Sequence, residues 1–129
     1  MANFHNVEIK GKRRFPIYYA DTNEKFRVLK KIFNEYKIIN TGIVEYIKNH
    51  LTPNSIILFG SFSKGEDVAE SDIDLFIEAE FKNIDLKKFE KKLGKEINLT
   101  FKKDINDLNK EFLHNILNGS VLYGEIYIK

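Results

Sequence analysis

The stretch Leu58-Phe59-Gly60-Ser61-Phe62-Ser63-Lys64-Gly65-Glu66-Asp67-Val68-Ala69-Glu70-Ser71-Asp72-Ile73-Asp74-Leu75-Phe76-Ile77-Glu78 decides how this chain is read. Two apolar runs, residues 56–59 and 73–77, have the character of short strands, and a small polar loop joins them. The first run passes straight into Gly60-Ser61, where the missing Cβ lets backbone N–H groups approach an anion closely. The second carries Asp72 and Asp74 at positions i and i+2, so both carboxylates project from one face. Aspartate is a poor strand former, and two of them among Ile, Leu and Phe call for a reason beyond packing. Side by side the carboxylates repel each other, and a divalent cation removes that cost. Mg²⁺ in particular is held by one or two carboxylates, with substrate phosphates completing its shell. A phosphate-approaching turn beside a carboxylate pair therefore points to metal-assisted handling of a nucleoside triphosphate. The plainer alternative is a surface loop followed by a strand with two solvent-facing aspartates.

Gly60-Ser61, Gly65 and Ser71-Asp72-x-Asp74 together resemble the signature of the DNA polymerase beta-like nucleotidyltransferase superfamily. The likeness is nearest to its minimal members, single small domains that act as antitoxins to HEPN-domain toxins. A lone Gly-Ser or Asp-x-Asp means little; strand, turn, spacing and paired aspartates must coincide. The resemblance implies that Gly60, Ser61, Lys64 and Ser71 contact the nucleotide, ATP or another nucleoside triphosphate. It implies that Asp72 and Asp74 are catalytic and hold Mg²⁺ as the cofactor.

Composition bounds the answer more loosely. At 129 residues the chain is long enough for one domain with a real core and too short for two. There is no apolar run long enough to span a membrane and no signal-peptide pattern at the start. The absence of cysteine excludes disulfides and thiolate metal sites, which suits a reducing cytoplasm, the expected compartment. With 21 basic and 19 acidic residues the formal charge is +2, so no strong field favours nucleic acid.

Residues 1–20 are expected to form a basic, β-hairpin-like extension, and residues 21–129 the nucleotidyltransferase domain. Val7, Ile9, Phe15, Ile17 and Tyr19 fit two short strands with a turn near Gly11, where Lys10, Lys12, Arg13 and Arg14 cluster. This resembles the wing of a winged-helix DNA-binding domain, without the recognition helix that precedes such a wing. A solvated basic hairpin is the preferred reading over DNA binding, because phosphate contacts from a hairpin alone are weak and salt-sensitive. Asp21-Thr22-Asn23-Glu24 has capping-box spacing. From there Phe26, Leu29, Phe33 and Tyr36 describe an amphipathic helix to about Ile39, its apolar stripe expected in the core. A second helix should bury Ile43, Val44, Ile47 and Leu51 and stop before Pro53. After the central stretch, a Lys-rich helix starting at Asp85 turns Leu86, Phe89 and Leu93 inward and ends at Gly94. Residues 96–101 form a strand with Ile97, Leu99 and Phe101 on one side, and residues 106–117 a last helix. The sum is an α/β (α+β) fold: a small mixed sheet with helices packed mainly on one face.

The strand after the Lys-rich helix departs from the family pattern. In the superfamily this strand reads apolar-Asp-apolar, and that Asp completes a carboxylate triad. Here the triplet is Ile97-Asn98-Leu99. Asn98 keeps the size and a carbonyl oxygen but cannot accept a proton as a base. Losing such a base is expected to slow transfer by about 10²–10⁴-fold. Glu96, two residues earlier on the same face, is the candidate substitute, although an offset of about 7 Å is large for metal chemistry. Relatives often have Arg at Lys64, and Lys offers a point charge without the bidentate fork.

Three functions compete. One is an enzyme transferring a nucleoside monophosphate, AMP from ATP, to a hydroxyl; in antitoxin relatives the acceptor is a tyrosine of the HEPN toxin. The second is a catalytically weakened module of the same fold that neutralises its partner by docking. The third is a DNA-associated regulator using the basic hairpin. The four residues Gly60, Ser61, Asp72 and Asp74 favour the enzyme. Oligomeric state is left open.

Overall fold

The computed structural model describes residues 22–129, so the hairpin expected over 1–20 and the capping Asp21 lie outside the described residues. The chain enters α1 (Thr22–Asn40), turns at Thr41-Gly42 and continues as α2 (Ile43–Leu51). β1 (Ser55–Phe59) is followed at once by α3 (Gly60–Lys64), then β2 (Ile73–Glu78), α4 (Lys87–Leu93) and β3 (Ile97–Lys102). A 3₁₀ turn (Ile105–Asp107), α5 (Lys110–Leu117) and β4 (Ser120–Gly124) complete the chain.

The four strands make one mixed sheet in the order β3-β2-β1-β4. β1 runs antiparallel to both β2 and β4, while β2 and β3 are parallel, linked by the α4 crossover. Interior strands covered on both faces read as continuous apolar runs, and Ser55–Leu58 is buried at every position. On one face Ile56, Leu58, Ile73, Leu75, Ile77 and Ile97 pack against Ile38 of α1, the apolar side of α2, Phe62 of α3, and Phe89 of α4 with its N-cap Leu86. On the other face Ile57 and Phe76 pack under Ile105 and Ile116. The larger helical layer thus lies on one face, and α5 with the 3₁₀ turn covers part of the second.

Several local expectations hold. Ile43, Val44, Ile47 and Leu51 are the buried residues of α2. Gly94 ends α4 in the left-handed conformation, its N–H bonded to the Glu90 carbonyl. Ile97, Leu99 and Phe101 face the larger core.

Others are corrected. The polar loop after β1 contains helix α3, because Phe62 drops into the core and is fully buried there. Burying one such ring contributes roughly 1.5–3 kcal/mol, enough to fold a turn around it. The Lys-rich helix begins at Lys87 rather than Asp85, whose carboxylate instead accepts from the Lys87 N–H. The last helix is split: residues 105–107 form a 3₁₀ turn capped by Asp104, and Asn109 caps α5 through the Phe112 N–H.

The largest correction concerns α1. Phe26, Leu29, Phe33 and Tyr36, expected in the core, are 56–66% exposed. The helix turns the opposite face inward. Arg27 Nη1 donates to the Lys64 carbonyl at 3.0 Å, Lys30 Nζ to the Asp67 carbonyl at 2.6 Å, and Asn34 Nδ2 to the Phe62 carbonyl at 3.0 Å and Asp67 Oδ1 at 2.8 Å. The Phe62 carbonyl is buried and needs a donor, and the polar side of α1 supplies it together with donors to the Lys64 and Asp67 carbonyls, while α2 covers the sheet.

Candidate active site

Asp74 sits in register between two strands, opposite Phe59 of β1 on one side and Asn98 of β3 on the other. A one-residue slip in either pairing would turn it to the opposite face, so the apolar register that builds the core also places this carboxylate. Gly60 follows Phe59 with φ +81°, and a Cβ built there would collide with Asp74 Oδ2. The glycine is required twice, for the left-handed backbone and for the close approach of the carboxylate.

Asn98 occupies the third side. Its Nδ2 lies 3.1 Å from Asp72 Oδ2 and 3.2 Å from Asp74 Oδ1, donating to both. The sheet thus brings Asp72, Asp74 and Asn98 together at the surface: Asp72 and Asn98 are exposed and Asp74 half-buried. Among the described residues no group of three His, Cys, Asp or Glu side chains is placed to hold a metal ion. The donor set is two carboxylates and an amide. It fits a hard divalent cation, because turning the Asn98 amide presents its carbonyl oxygen to the point both carboxylates face.

The remaining predicted residues divide. Gly60, Ser61 and Lys64 line an open cleft of about 300 Å³ with Phe59, Glu66 and Asn115. Asn115, on α5, was not singled out from the sequence. Ser71 Oγ accepts from the Val68 N–H at 2.9 Å, closing the turn before Asp72. Glu96 lies just before β3; its carbonyl accepts from the Ile73 N–H at 2.9 Å, and its exposed side chain makes no polar contact with either aspartate. A larger concavity of about 710 Å³ lies at the far end of β1 and β2, lined by Asn54, Glu78, Asp104, Asn106 and Tyr127 among others. Its buried carboxylate Glu78 already accepts from Ser55 Oγ at 3.0 Å and the Ile105 N–H at 2.9 Å, which makes it a fold anchor.

Residues 41–126, a span containing the turn, both aspartates and Asn98, match the family described as Polymerase beta, Nucleotidyltransferase. This chain belongs to the polymerase beta nucleotidyltransferase family. It is also 33% identical over 85 residues to "Putative protein adenylyltransferase MJ1379" of Methanocaldococcus jannaschii, covering 60% of this chain and 85% of that protein. The nucleotidyltransferase fold also superposes on a toxin-antitoxin crystallised with AMP-PNP, with a TM-score of 0.51 and 22% identity, over 71% of this chain and 74% of that one. At that identity the likeness is one of fold. Among the described residues no helix is long and apolar enough to cross a membrane.

Proposed function

We propose that this nucleotidyltransferase moves AMP from ATP to a hydroxyl on a partner protein, a tyrosine of a HEPN-type toxin, at the site formed by Asp72, Asp74 and the Gly60-Ser61 turn. The observation that carries the reading is the convergence of neighbouring chain segments on one point: Asp74 against Gly60, and Asn98 within 3.2 Å of both Asp72 and Asp74. The adenylyltransferase name of the archaeal relative supports ATP as donor, and the toxin-antitoxin of similar fold supports a protein acceptor.

Asp72 and Asp74 would hold a divalent cation, Mg²⁺, which when bound neutralises phosphate charge as it develops in the displacement. The chain's own residues do the rest. The phosphates would lie in the cleft lined by Gly60, Ser61 and Lys64, where Lys64 supplies a mobile positive charge. The acceptor oxygen bonds to the α-phosphorus, the bond to the bridging oxygen breaks, and pyrophosphate leaves. The hydroxyl proton passes to solvent, because Asn98 in the place of a base cannot take it. Transfer is therefore slow.

A specific observation favours a second reading, a weakened module acting by docking: an amide stands where the third carboxylate of the family would. Intact-mass spectrometry of a co-purified partner, with and without ATP and Mg²⁺, tests the proposal. The partner gains the mass of one AMP only with both present. A partner unmodified by wild type and by Asn98→Asp leaves docking as the function.

A further inference from the structure

Lys87, Lys88, Lys91, Lys92 and Lys95 form a run of basic residues in the sequence, and the ammonium of Lys95 is fully engaged. Its Nζ donates to the carbonyls of Val68 at 2.9 Å, Ala69 at 3.3 Å and Ser71 at 3.0 Å. Three donors meet three acceptors of a single turn, which uses the whole capacity of the ammonium group. The turn is also closed internally, with the Ser71 N–H on the Val68 carbonyl at 3.0 Å and the Val68 N–H on Ser71 Oγ at 2.9 Å. Lys92, on α4 itself, instead lies over the Phe89 ring, and Lys91 is exposed.

The grip falls immediately before Asp72. On the following side, the Ile73 N–H bonds the carbonyl of Glu96, the residue after Lys95. At the other end of the loop, Asp67 is 8% exposed and held by Asn34 Nδ2 at 2.8 Å, while Lys30 Nζ binds its carbonyl at 2.6 Å. The segment joining the Gly60-Ser61 turn to Asp72 is thus fixed at both ends by side chains that touch neither aspartate. Hydrogen bonds from a charged donor are stronger than neutral ones, and Lys95 places three of them on the turn that adjoins Asp72.

We propose that Lys95 is a positioning residue, which holds the Val68–Ser71 turn so that Asp72 faces Asp74 and Asn98. The proposal rests on the reading of that constellation as a metal–nucleotide site. Groups that orient a metal's ligands without touching the metal typically change affinity by about 10–100-fold when removed.

The test uses the full chain as wild type, Lys95→Met, Lys95→Arg and the control Lys91→Met. ATP is titrated calorimetrically with Mg²⁺ and again with chelator, and amide exchange is followed over residues 68–73. Lys95→Met should weaken Mg²⁺–ATP binding by about tenfold, leave metal-free ATP binding unchanged and speed exchange at Ser71 and Asp72. Lys95→Arg should restore most of the affinity, and Lys91→Met should match wild type. Equal Mg²⁺–ATP affinity and equal exchange in Lys95→Met and wild type overturn the proposal. So does an equal loss with and without metal, which marks a general structural role. Wild type that binds no Mg²⁺–ATP refutes the site itself, and the exchange arm still decides whether Lys95 holds the turn.

Discussion

Gly60→Ala separates two demands that the structure places on one residue. The first is backbone strain: an L-residue in the left-handed region costs about 1–2 kcal/mol. Gly42 provides the reference, with φ +86° and nothing within 4 Å of a Cβ built on it, so Gly42→Ala measures strain alone. The second demand is space for Asp74, whose carboxylate fills the volume a Gly60 side chain would enter. Turning that carboxylate aside breaks its 3.2 Å contact with Asn98. A hydrogen bond to a charged group contributes about 1.5–3 kcal/mol, and the half-exposed setting argues for the low end. Gly60→Ala should therefore destabilise by about 3 kcal/mol against about 1–2 for Gly42→Ala. Urea unfolding of both variants, each also in an Asp74→Ala background, isolates the difference as a coupling of about 1.5 kcal/mol between residues 60 and 74. Equal costs for Gly60→Ala and Gly42→Ala, with no coupling to Asp74, would refute the close approach on which the site depends.

Asn98→Asp should speed AMP transfer about tenfold or more, a barrier change of about 1.4 kcal/mol, read by the rate of partner modification. If Glu96→Gln abolishes transfer while Asn98→Asp leaves it unchanged, Glu96 is the base instead. Leu29→Ser and Phe33→Ser on the exposed side of α1 should each shift unfolding free energy by no more than about 0.5 kcal/mol. Ile38→Ala, on the buried side of the same helix, should cost about 2–5 kcal/mol; comparable losses on both sides would contradict the orientation of α1. The Asp104 carboxyl is held below the ordinary carboxylate range by the Asn106 backbone N–H, then by the Asn106 side-chain amide, with Lys129 nearby. Its contribution to stability is then complete above the unfolded value of about 3.9 and is lost as pH falls through the lower folded value. Carboxyl titration by NMR that places Asp104 at or above an ordinary aspartate would contradict this.

The parts of the fold carried by short-range pattern were legible in the sequence. Residues 56–59 and 73–77 are apolar runs ended by glycine, proline or charge, and they lie within β1 and β2. Period-2 alternation put Asn98 on the face opposite Ile97 and Leu99, and the parallel pairing with β2 then carries it to Asp74. Periodicity also showed that Phe26, Leu29, Phe33 and Tyr36 share a face of α1. It did not show which way that face points, because direction is set by acceptors elsewhere: the carbonyls of Phe62, Lys64 and Asp67. Helix α3, five residues long, is too short to show a period, and only the burial of Phe62 reveals it. Asn115 reaches the Gly60-Ser61 cleft and Lys95 the turn before Asp72 from distant parts of the chain, through contacts that depend on how α5 and the segment after α4 pack.

The account rests most directly on Mg²⁺-dependent nucleotide binding at the aspartate pair. Calorimetric titration of ATP, with and without Mg²⁺, onto wild type, Asp72→Asn and Asp74→Asn measures it in one experiment. Wild type should bind with Mg²⁺ and lose most of that affinity without it. Both variants should lose the metal-dependent part, with thermal stability unchanged or slightly raised as like charges are removed. The same Mg²⁺–ATP affinity in wild type and both variants would contradict the site.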